Sequence, residues 1–164
     1  MARPHQDYGA QLWGPSGDKM DLQAQEGPLR SFTRKFKDLR ELNYWQRLKE
    51  ARINSYQRRL ERYKIFYIYK SMIGIVPLLG LMWKFSKRMG RYIELPKISG
   101  KVLRNKTLKE KFMNVEGAKL FNLLPYILRN FSGEFNEFKN LFDKFMNDIP
   151  DCPVLPGYIT HNLD

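Results

Sequence analysis

Four cations within seven residues, Arg58, Arg59, Arg62 and Lys64, stand in the block Gln57-Arg58-Arg59-Leu60-Glu61-Arg62-Tyr63-Lys64-Ile65-Phe66-Tyr67, with tyrosines threaded among them. The chemistry such a block can do is to grip a polyanion, since each phosphate it neutralises releases condensed counterions. Bond-making chemistry has no comparable foothold. A polymerase or nuclease needs carboxylates that converge on two metal ions, and the acids here are sparse, separated and never adjacent as an Asp-Asp pair. No glycine loop of the G-x-x-x-x-G-K type and no Ser/His/Asp arrangement is present. His5, His161 and the single Cys152 do not make a zinc site, and Cys152, between Asp151 and Pro153, reads as an incidental loop residue. The expectation is a chain that binds rather than transforms, with no cofactor.

The charge is concentrated. Residues 30–70 carry thirteen basic and four acidic side chains and residues 71–111 carry ten and two, whereas both ends are net acidic, within a total of +12. This asymmetry favours a phosphate-rich partner; a solvated basic surface and an anionic membrane surface are the other readings. At 164 residues, 43% hydrophobic and 14% aromatic, the chain can bury one core and is not expected to be disordered. The longest apolar run, Met72 to Trp83, is shorter than the roughly 20 residues of a membrane span and is broken by Gly74, Pro77 and Gly80. One cysteine fits a reducing compartment, and the polar first twenty residues do not read as a signal peptide. An intracellular protein of nucleus or cytoplasm, neither secreted nor membrane-bound, is expected.

Helices must position the cations. Ala2 to Trp13 reads as a short helix closed by Gly14-Pro15-Ser16-Gly17. Asp18 to Phe36 reads as a second, with a break or restart at Gly27-Pro28, because proline removes a donor and restricts the residue before it. Tyr44 to Ile53 is a third. Asn54 or Ser55 caps a fourth, which runs to about Met72. In it Tyr56, Leu60, Tyr63 and Tyr67 follow the i, i+4, i+7, i+11 spacing of one core-facing stripe, so Arg58, Arg59 and Arg62 are expected to project away. Tyr92 to Pro96 and Lys111 to Val115 alternate as two short strands, and the run of Lys97, Lys101, Arg104, Lys106 and Lys109 between them is a basic loop or a weak hairpin. Gly117 to Leu128 reads as helical with a break near Pro125. Phe135, Phe138, Phe142, Phe145 and Ile149 mark a last helix, with Glu134 and Glu137 at its dipole-favoured end and Pro150 as its stop. The expected class is mainly α, with a small α+β region that holds a short β-hairpin. The divisions are residues 1–75, a basic 76–111, a helical 112–150 and an extended tail 151–164.

Taken in order, several blocks resemble the region downstream of the polymerase core in LINE-type, jockey-like non-LTR retrotransposon reverse transcriptases. They are Arg3-Pro4-His5, Gln11-Leu12-Trp13, Leu29-Arg30-Ser31-Phe32-Thr33-Arg34, Leu42-Asn43-Tyr44-Trp45-Gln46-Arg47-Leu48, Gln57-Arg58-Arg59, Gly117-Ala118-Lys119-Leu120-Phe121-Asn122, Asp143-Lys144-Phe145, Ile149-Pro150-Asp151 and Pro156-Gly157-Tyr158. The resemblance runs from about Arg3 to Tyr158. It implies a helical, thumb-like bundle over residues 1–75, followed by the small domain that succeeds the thumb. It also implies that the palm aspartates and the endonuclease of such elements lie outside this chain, and that Met1 stands where the family chain would continue.

The expected function is therefore that of a catalytically inactive piece of an RNA-directed DNA polymerase, which binds the backbone of RNA or of an RNA/DNA template–primer. Arg34, Lys35, Lys37, Arg58, Arg59, Arg62 and Lys64 are expected to track phosphates and 2′-hydroxyls without reading sequence, with Lys84, Lys87, Arg88 and Arg91 extending the footprint. Three alternatives stay open: a non-functional relic of a truncated element, a protein-interaction module that docks through the aromatic face of its last helix, and a chain that works in trans with a separate polymerase palm.

Overall fold

The computed structural model describes residues 19–76, 84–86, 90–95 and 113–151. Their α-helices are α1 (Lys19–Thr33), α2 (Tyr44–Glu50), α3 (Tyr56–Met72), α4 (Met113–Asn122), α5 (Tyr126–Arg129) and α6 (Phe135–Asn147), with a 3-10 turn at Lys37–Leu39. The fold is mainly helical. Among the described residues the extended pairing is one antiparallel bridge, between Phe85 and Ile93. Val115 lies in the first turn of α4 and not in a strand. The rest of the expected hairpin, like the expected N-terminal helix and the tail beyond Asp151, lies outside the described residues.

The chain forms two compact units, one drawing on residues up to Arg62 and again from Ile149, the other on Tyr63–Asp148. The helix α3 begins in the first and ends in the second.

In the first unit, α1 runs straight through Gly27-Pro28 instead of breaking there. Gly27 makes this tolerable: a residue before proline is kept out of the helical region partly by its Cβ, which glycine lacks. Crowding by residues beyond its chain neighbours and its own helix backbone is not the reason, since none of them would lie within 4 Å of a Cβ added at Gly27. Tertiary packing supplies the remainder, with Leu29 of α1 buried against Tyr44 and Leu48 of α2, and Trp45 and Ile53 at the edge of that cluster. The start of α2 is fixed by a capping box: Asn43 Oδ1 accepts from the Gln46 backbone N–H and Gln46 Oε1 accepts from the Asn43 N–H, both at 3.0 Å.

Ser55 caps α3 as its sequence position suggests, its hydroxyl accepting from the Arg58 N–H at 3.1 Å. A second device is not visible in the sequence. Glu26, fully buried on α1, accepts from the backbone N–H groups of Tyr56 at 2.5 Å and Gln57 at 3.3 Å, and from the Tyr44 hydroxyl. One carboxylate thus joins α1 and α2 to the positive end of α3. Burial raises the Glu26 carboxyl above its ordinary pKa, against the lowering effect of these hydrogen bonds. Burial and the Glu26 carboxylate push the Tyr44 hydroxyl up as well, so it remains a donor.

The second unit is held by aromatic packing. Tyr69 of α3 stacks flat on Phe138 of α6, centroids 3.8 Å apart, and donates its hydroxyl to the Gly133 carbonyl at 2.8 Å. Phe66 packs edge-on against Phe135 at 5.3 Å and Phe142 at 5.4 Å. Phe138 and Phe142 are fully buried. Two members of the last helix's phenylalanine stripe, Phe138 and Phe142, thus pack inside their own unit, while Phe135 and Phe145 are half-buried. Asn122 of α4 clasps Ile93 through both its backbone groups, N–H to Oδ1 at 2.8 Å and Nδ2 to O at 2.9 Å. A side-chain amide here does the work of a neighbouring strand.

Candidate nucleic-acid interface

Between Phe32 and Leu42 the chain descends through consecutive i→i+3 turns: Lys35 N–H to Phe32 O, Leu39 to Phe36, Arg40 to Lys37 and Leu42 to Leu39, at 3.1 to 3.3 Å. Tight turns throw successive side chains outward at short intervals, and in this segment many of those side chains are cationic. They open onto a cavity of about 1110 Å³, lined by Arg30, Arg34, Lys35, Lys37, Arg40, Glu41, Leu42, Asn43, Tyr44, Trp45 and Arg47. Arg30, Arg34, Lys35, Lys37 and Arg40 are all exposed. Six cations and a single carboxylate, that of Glu41, line this one surface, a concentration of like charge that raises the local positive potential.

Arg47 plays a different part. It is buried, and its Nε donates to Thr33 Oγ1 at 3.2 Å while Nη1 donates to the Leu42 carbonyl at 2.6 Å. Thr33 in turn donates to the Arg30 carbonyl at 3.2 Å. Arg47 therefore ties both ends of the cationic turn to α2 and fixes its curvature. Beneath the wall, the Arg30 guanidinium stands 4.7 Å over the Tyr44 ring, a cation–π contact that restrains one of the lining arginines.

Of the residues expected from sequence, Arg34, Lys35 and Lys37 meet on this cavity. The central block is corrected in part. Arg58 does not project away: it is buried, donates from Nη2 to the Ile149 carbonyl, and its Nε lies 3.8 Å from the Asp151 carboxylate. Lys64 is buried too and pairs with Glu116 at 2.7 Å. Because α3 is covered on more than one side, its cations serve packing as well as the tyrosines do. Arg62 is half-buried, as is Arg59, whose guanidinium lies 5.7 Å from the Tyr56 ring centre. Lys84 is exposed. Arg91 is committed to the second unit through Nη1 to the Phe131 carbonyl at 2.5 Å and its N–H to Asn130 Oδ1 at 3.1 Å. Lys87 and Arg88 lie outside the described residues.

Arg30, Arg40, Asn43 and Arg47 were missed by the sequence reading. The Asn43-x-x-Gln46 capping box marks in the sequence where α2 starts, but nothing local records that this start lies beside the end of α1. Among the described residues no helix is long and apolar enough to cross a membrane, and no three His, Cys, Asp or Glu side chains gather where they could hold a metal ion. No protein-family model, curated protein or solved structure matches the chain.

Proposed function

We propose that this chain is a non-catalytic nucleic-acid-binding protein that holds the phosphate backbone of RNA or of an RNA/DNA hybrid on the cationic wall between α1 and α2. The observation that carries the reading is the convergence of five exposed cations, Arg30, Arg34, Lys35, Lys37 and Arg40, on one concave surface. Guanidinium and ammonium groups there meet phosphate oxygens as charge-assisted hydrogen bonds and release counterions. The likeness of the sequence to the post-polymerase region of LINE-type reverse transcriptases supports the same partner, and with it a polymerase palm supplied in trans as a second partner.

The test is fluorescence anisotropy with a labelled RNA–DNA hybrid at several salt concentrations. Binding with a steep salt dependence is expected. R34A/K35A/K37A should weaken it and lower the salt slope by about 3, one for each phosphate no longer neutralised. An unchanged slope in the folded triple variant sinks the assignment. Absence of any binding by the folded wild type would favour the relic reading.

A further inference from the structure

Phe32 and Phe36 are 50% and 46% exposed. Their rings meet edge to face, centroids 5.1 Å apart at 82°. Singly exposed apolar side chains are commonplace, but two large aromatic rings held together at the surface form a patch. This patch is carried on the cationic segment itself. Phe36 stands between Lys35 and Lys37, Phe32 stands two residues before Arg34, and all three of these cations are exposed and line the cavity. Both phenylalanine carbonyls accept the i→i+3 backbone bonds that shape the turn, from Lys35 and Leu39, each at 3.1 Å, so the backbone that bears the rings is already set. An edge-to-face pair engages only one face of the accepting ring, and each phenylalanine keeps about half of its surface exposed.

A ligand for this surface must offer flat rings and anionic groups in alternation at short range. A nucleic acid does so, and a duplex does it poorly, because its bases already stack on one another. We propose that Phe32 and Phe36 are a stacking platform for the unpaired bases of a single-stranded nucleic acid whose phosphates lie on Arg34, Lys35 and Lys37. The proposal rests on the reading that these cations hold phosphates, and adds the strandedness of the ligand. Aromatic platforms combined with a basic groove bind single strands with little sequence preference.

Anisotropy with three labelled probes tests it: a single-stranded RNA, the same strand with abasic sites, and a blunt RNA–DNA hybrid. Wild type should bind the intact strand about tenfold more tightly than the abasic one, as expected for about one stacked base. F32A/F36A, which removes only half-exposed rings, should lower the intact strand to the abasic level and leave the hybrid affinity and its salt slope unchanged. Equal binding of intact and abasic strands by wild type overturns the platform, a result that needs no variant. So does a folded double variant that keeps the preference. Binding of all three probes by charge alone fells the platform and spares the phosphate reading. Binding of none fells both.

Discussion

Arg58 and Ile149 are joined through a guanidinium-to-carbonyl hydrogen bond across 91 positions of sequence, with the Asp151 carboxylate 3.8 Å from the same guanidinium. The most conspicuous arginine of the basic block is therefore a structural tie. Removing it leaves a buried carbonyl and a largely buried carboxylate without it. R58A should cost about 3 kcal/mol in urea unfolding, while nucleic-acid affinity per folded molecule stays as in wild type. A stable R58A with weakened binding would return Arg58 to the interface.

Lys64 and Glu116 pair at 2.7 Å, with side chains 4% and 28% exposed. K64A and E116A should each destabilise by about 2 kcal/mol. The double variant should fall short of their sum by about 1 kcal/mol, the non-additivity of residues in direct contact. Additive losses in a double-mutant cycle would show that the two charges act apart.

These two pairs also mark what was legible in the sequence. The phenylalanine stripe of α6 and its stop at Pro150 could be read because a helix period is a local property of the chain. The Ser55 cap and the run of Arg34, Lys35 and Lys37 were readable for the same reason. The partners of Arg58 and Lys64 were not, since nothing in Gln57 to Tyr67 records that Ile149 and Glu116 will be brought against it. The cavity lay between these extremes: its cations could be counted, but their convergence depends on Arg47 reaching Thr33 and Leu42. At Gly27-Pro28 the local rule was outweighed by burial of Leu29 and by a glycine in the one position where it relaxes the pre-proline restriction.

Glu26 links stability to pH. Its folded pKa is raised by burial, so the folded protein holds this proton more tightly than the unfolded chain does. The stability it contributes is complete below the ordinary carboxylate value and is lost as pH rises through the raised folded value. E26Q keeps an oxygen for the Tyr56 and Gln57 amides and removes the titration. Denaturant midpoints measured across this acidic window should decline with rising pH in wild type relative to E26Q. Parallel profiles would mean that Glu26 titrates alike in both states.

Pro28 is exposed within α1, so replacing it removes no core packing. P28A restores a helical donor and relieves the ring's clash with the preceding turn. After allowing for the greater freedom of the unfolded chain, a gain of about 2 kcal/mol is expected. A lower melting temperature for P28A would show that Pro28 stabilises the fold by more than its cost within the helix.

The Ser55 cap has a consequence for the order in which the protein is made. Asp151 accepts from both the Ser55 hydroxyl, at 2.8 Å, and its N–H, at 2.7 Å, across 96 positions. The unit that contains Ser55 is assembled from an early and a late stretch of chain, whereas the unit spanning Tyr63–Asp148 is contiguous. On the ribosome, the segment synthesised second can complete its own contacts first. The cationic wall is shaped by contacts within residues 30–47, so it is the start of α3 that waits for this distant closure, the kind that slows folding most.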